Sequence, residues 1–74
     1  MRPDLALFDY EHLPPHLQEV SRPFRELAHD LFATPTHGHD GAQAEQDVAL
    51  RKLLEAKDAA VRVVVLLRKT VGLA

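Results

Sequence analysis

The sequence predicts an all-α protein: a two-helix antiparallel hairpin with an N-terminal arm, assembled into a helical-bundle homo-oligomer. Three observations predict it. Residues 43–71 contain no Gly or Pro and are dominated by Ala, Leu, Glu, Lys, Arg and Gln, all good helix formers. Leu17, Val20, Phe24, Leu27, Ala28, Leu31 and Phe32 recur at the three- and four-residue steps of one helical face. Between these segments, TPTHGHDGA (34–42) holds Pro35, Gly38 and Gly41 and no large apolar side chain, so it is a loop.

The elements follow in order. Residues 1–13 form the arm, with apolar Leu5, Leu7 and Phe8 and the only tyrosine, Tyr10. The first helix covers about 14–33. Pro14 and Pro15 suit its first turn, where the missing N–H would be unpaired in any case. Pro23 clashes with the Glu19 carbonyl, so this helix either kinks or breaks, with Ser21 as N-cap of a second piece. The second helix covers about 43–71, roughly 43 Å of it, and Gly72 is placed as its stop. One stripe of that helix reads Ala49, Leu53, Ala56, Ala60, Val63, Leu67. A neighbouring stripe reads Leu50, Leu54, Val61, Val64, interrupted by Lys57. Across from them Arg51, Glu55, Asp58 and Arg62 have the spacing of exposed ion pairs. Val61–Leu67 is β-branched enough for a strand, but its strongly helical flank RKLLEAKDAA decides for helix.

A chain of 74 residues forms one small domain, burying only about 60% of its unfolded surface. It has no cysteine, which removes disulfides and thiolate chemistry. Val63–Leu67 is apolar in every direction around the helix, and a hairpin partner covers one side only. The remaining sides call for another chain, with Ala56, Ala60, Val63, Val64 and Leu67 as the expected oligomer interface. No apolar run reaches the length of a membrane span and no leader pattern opens the chain, so a cytoplasmic protein without membrane contact is expected.

Charge is unevenly divided. Residues 1–47 carry nine acids against three bases, and residues 48–74 carry two acids against six bases, under a net charge of −2. Two antiparallel elements that attract each other explain most of this, and a bound anion would explain the rest. No Lys/Arg run is long enough for duplex DNA, and the Gly/Pro loop argues against a helix-turn-helix regulator. Catalytic equipment is missing from the pattern: Ser21 is the only serine and has no base at helical spacing, and Glu26 and Asp30 are an ordinary surface pair. His37, His39 and Asp40, with His29 and Asp30 nearby, are the only metal-ligand types in a cluster, and they read as a solvated loop. Neither enzyme activity, metal nor cofactor is expected. Phe8 and Tyr10 on the arm, with Arg22 and Arg25 on the first helix and Arg62, Arg68 and Lys69 on the second, are the residue types that stack on a base and hold phosphates, the alternative being that Phe8 and Tyr10 staple the arm onto the hairpin core.

Two segments carry a resemblance to a known family. FDYEHLPP (8–15) with the LQEVSRPFRELAHDL that follows shortly after, and AEQDVALRKLLEAKDAAVR (44–62), resemble the helical-hairpin domain of small phage anti-CBASS and anti-Thoeris sponges. Ala49-Leu50-Arg51-Lys52-Leu53-Leu54-Glu55-Ala56 is similar to that family's Ala-Leu-rich helix. The resemblance implies a hairpin assembled into a compact oligomer, often a hexamer, with cyclic nucleotide messengers held between protomers and not turned over. It implies that an aromatic at Tyr10 stacks on a nucleobase, and that Arg22 or Arg25, together with Arg62, hold phosphates. Lys57, Asp58 and Ala59 stand where many members carry an aromatic, and Val occupies 61, 63, 64 and 65 in place of smaller residues. The expected function is therefore sequestration of a cyclic di- or trinucleotide. The rival is a non-catalytic assembly or adaptor protein whose arm docks a protein partner.

Overall fold

The computed structural model describes residues 2–70 and contains, among them, helices and no strand. A one-turn 3₁₀ helix, Leu5–Phe8, is followed by α1 (Pro15–Ala33) and α2 (Asp40–Thr70). The hairpin expected from the sequence is present. Its overall length is 50 Å, close to the roughly 46 Å that 31 helical residues span.

The arm is built into the fold. Asp4 Oδ1 accepts the Ala6 N–H at 2.9 Å and so starts the 3₁₀ turn. Arg2 at one end donates through Nε to Asp47, while at the other end Lys57 Nζ donates to the Leu7 carbonyl at 2.8 Å. The arm therefore runs alongside α2 in the same direction, and α1 returns against both. Between them Phe8, Ala28 and Leu50 are wholly buried, with Leu5, Phe24, Leu31, Leu53 and Leu54 packed around. Lys57, which interrupts the inner stripe of α2, keeps only 12% of its side chain exposed, its stem covering apolar surface while its ammonium caps the arm.

Helix α1 is a single helix through Pro23, so the break with Ser21 as a second N-cap does not occur. Pro23 and Glu19 both lie on the exposed side, where water can take the carbonyl that the proline leaves unpaired. Ser21 instead completes the inward line of Leu17, Phe24, Ala28 and Leu31, buried and with no hydrogen-bond partner for its hydroxyl. Leu27 and Phe32 sit at the margins of that line and stay exposed.

Helix α2 starts three residues before the expected position. The turn Thr36–His39 closes with the His39 N–H on the Thr36 carbonyl at 2.9 Å, and His37 and Gly38 take φ of 52° and 73°. Two central residues at positive φ define a type I′ turn, for which Gly suits one position and His is among the residues that tolerate the other. His39 then caps α2, its Nδ1 accepting the Ala42 N–H at 3.1 Å. The expected polar loop is shortened by a histidine acting as a cap. Gly72, the expected stop, lies outside the described residues.

At the other end of α1 the carbonyls are closed by α2. Gln46 Nε2 donates to the Leu31 and Thr34 carbonyls at 2.6 and 3.0 Å, while its Oε1 accepts from Arg2. One side chain thus ties the end of α1, the arm and α2 together.

The two stripes of α2 part only beyond Leu53, which packs on the core beside Leu54. Leu50, Leu54, Val61 and Val64 face the hairpin, whereas Ala56, Val63 and Leu67 of the other stripe are exposed. Val65 and Leu66 are exposed as well, so most of the all-round apolar segment is uncovered within one chain. Arg51, Glu55, Asp58 and Arg62 lie on the exposed side as expected. The i, i+4 pairs among them do not form; Asp58 pairs with Lys57 at 3.3 Å instead. Among the described residues no helix is long and apolar enough to cross a membrane.

Candidate ligand-binding site

After the 3₁₀ turn the chain reverses at residues 9–14. The Leu13 N–H donates to the Tyr10 carbonyl at 2.9 Å, and Gln18 Nε2 reaches back from α1 to the Leu13 carbonyl at 2.8 Å. This turn holds Tyr10 half-buried beside α1. Arg22 and Arg25, three residues apart on one face of α1, meet its ring, with guanidinium carbons 5.7 and 5.6 Å from the centroid. Both distances are within reach of cation–π attraction.

Two acids flank the same cluster. Asp9 Oδ1 is 3.3 Å from Arg25 Nε and Glu11 Oε1 is 3.9 Å from Arg25 Nη1. The Arg25–Asp9 contact has the distance of an ion pair without the alignment of a hydrogen bond, and the buried Nε stays unsatisfied. The Glu11 carboxyl is held below the ordinary carboxylate range, chiefly by its own backbone N–H, with Arg25, the Tyr10 N–H and His12 adding and desolvation opposing. Arg25 is thus partly neutralised by the arm. Arg22 is exposed and has no carboxylate within ion-pair distance among the described residues, so it is the guanidinium available to an incoming anion.

The residues expected at the site are only partly brought together. Tyr10, Arg22 and Arg25 form one cluster. Phe8 does not belong to it: it is wholly buried with Ala28 and Leu50 and offers no face to a base, anchoring the arm in the core with Leu5 beside it. Arg62 is exposed on α2, and no hydrogen bond, ion pair or ring contact among the described residues joins it to Tyr10. Asp9 and Glu11 escaped the reading of the sequence, although their alternation around Tyr10 in D-Y-E carries the signal.

His37 and His39 serve the turn and the cap just described. Among the described residues no three His, Asp or Glu side chains converge in a way that could hold a metal ion. Comparison of the chain with models of known families, with curated proteins and with solved structures finds no match.

Proposed function

We propose that the chain is a binding protein that sequesters a cyclic oligonucleotide second messenger without chemical change, as a phage sponge acting in the host cytoplasm. The observation that carries this reading is the Tyr10 ring, half exposed and set against two guanidinium groups. A base stacks on the ring while Arg22 meets a phosphate, and Arg25, over the ring and already turned toward Asp9 and Glu11, holds the ring in place. The resemblance of residues 8–15 and 44–62 to the sponge family supplies the cyclic character of the ligand. Arg62, without a contact to Tyr10 in its own chain, enters only as a phosphate contact from a neighbouring copy. The assembly that brings it there is a homo-oligomer, a hexamer by the same resemblance, packed through Ala56, Ala60, Val63 and Leu67; Val64, expected among them, faces its own hairpin and is left out. Sequestration works by affinity and copy number and requires no catalytic group.

A thermal-shift panel of cyclic di- and trinucleotides tests the proposal, because a ligand that binds only the folded state raises the melting temperature. Tyr10→Ala should weaken the responding ligand by about one to two decades, the worth of one stacked base, and Tyr10→Phe should bind nearly normally. Arg22→Ala should weaken it by an amount that shrinks in high salt. If no cyclic nucleotide shifts the melting curve, the sponge reading fails. The exposed α2 stripe, with Val63 and Leu67 more than half exposed, then favours the second reading, an assembly module without a small ligand.

A further inference from the structure

We infer that the open end of the hairpin carries a second ligand site, independent of Tyr10: a slot for a small anion borne on an apolar body. The start of α1 lies against the last turns of α2, and His16, Val65, Arg68 and Lys69 line an open cleft of about 180 Å³ with a chiefly apolar lining. That volume holds a phosphate or carboxylate together with one ring. Val65 supplies the floor. Arg68, half-buried, Lys69 and His16 line it from two different helices, mainly through apolar atoms, so three donor-bearing side chains border it.

What marks the slot is the lack of a counter-charge. The first turn of α1 holds no acid, and Pro14 provides no side-chain cap. The Leu17 and Gln18 N–H groups both turn to the Pro14 carbonyl. Neither Arg68 nor Lys69 has a carboxylate within ion-pair distance among the described residues, although the chain carries eleven acids. Cations in the last turn of α2 favour its dipole, which accounts for Arg68 and Lys69 taken alone. It does not account for His16 facing them from α1, which is the first turn of a helix that itself favours an anion. Three donors around an apolar floor are complementary to a phosphate or carboxylate on a hydrophobic group, the guanidinium pairing with two oxygens and the floor taking the ring.

Titration followed by amide NMR shifts, with phenyl phosphate, benzoate, inorganic phosphate and benzyl alcohol as probes, separates head group from body. Phenyl phosphate or benzoate should bind saturably in the millimolar range or tighter, and the stronger of the two identifies the head group. Inorganic phosphate should bind more weakly and benzyl alcohol not at all. Shifts should centre on His16 and Val65. The double variant Arg68→Gln/Lys69→Gln should weaken the best probe by about tenfold or more, as should His16→Ala to a smaller degree, the second serving if the first does not fold. Tyr10→Ala should leave this binding unchanged, which keeps its outcome separate from that of the cyclic nucleotide panel. Absence of saturable shifts, equal binding of benzyl alcohol, or full affinity in the Arg68/Lys69 and His16 variants would overturn the inference.

Discussion

Phe8 and Tyr10 stand two residues apart on the arm and meet opposite environments. Phe8 is buried against Ala28 and Leu50, so Phe8→Ala removes the anchor of the arm and should cost about 3–5 kcal/mol. That is comparable to the whole stability of a small domain, and chemical denaturation should show a chain that is largely unfolded. Tyr10→Ala should leave the unfolding midpoint close to its original value, since the ring is only half-buried and its contacts are to two arginines. Glu11 adds a pH dependence of definite sign. Its carboxyl is depressed in the folded state, so its contribution to stability is present above the ordinary carboxylate range. It is lost as pH falls through the lower, folded value. Melting curves from neutral to strongly acidic pH should therefore drop less steeply for Glu11→Gln than for the unaltered chain, and identical slopes would contradict this account.

At the scale of elements, what the sequence made legible was periodicity, and what it hid was the work of single polar side chains. Leu17 and Ala28 on α1 and Leu50, Leu54 and Val64 on α2 face inward as their spacing predicts. No spacing rule reveals that Gln46 closes the carbonyl end of α1, because its partners lie 12 and 15 residues earlier in the chain. Nor does one reveal that His39 caps α2, histidine being an uncommon cap. Gln46→Ala frees the Leu31 and Thr34 carbonyls and Nη2 of Arg2, whose Nε stays on Asp47, and should cost roughly 1–3 kcal/mol by denaturant titration. The cluster around Tyr10 was legible in its residue types, while the exclusion of Phe8 from it was not. An arm too short to form a regular element shows no period from which burial can be read. Pro23 leads to the opposite expectation from Gln46. Because α1 passes through it unbroken with its ring in water, Pro23→Ala restores a backbone hydrogen bond to Glu19 and should raise the melting temperature, by an amount worth up to about 3 kcal/mol.

The whole molecule has more apolar surface than one hairpin can cover. Its buried apolar core is Phe8, Leu17, Ala28 and Leu50, while Val63, Leu66 and Leu67 each remain more than half exposed along one side of α2. Leaving such side chains wet forgoes roughly 1.5–3 kcal/mol each, a large fraction of what a domain of this size has in total. The proposed assembly through this side would cover them, and the structure separates it experimentally from folding. Val64 faces the hairpin and is half-buried, so Val64→Glu places a carboxylate against α1 and should damage the fold itself. Leu67 points away, 60% exposed, so Leu67→Glu should leave the helices and the Tyr10 cluster intact in a single chain. Light scattering and circular dichroism on the two variants then read different things. The expected pattern is loss of helicity for Val64→Glu, and a helical species of reduced mass for Leu67→Glu. If the unaltered protein scatters as a stable monomer, the uncovered stripe is not an interface between copies. The Tyr10 site would then have to bind its ligand within one chain, with Arg22 and Arg25 as the guanidinium groups beside the ring among the described residues.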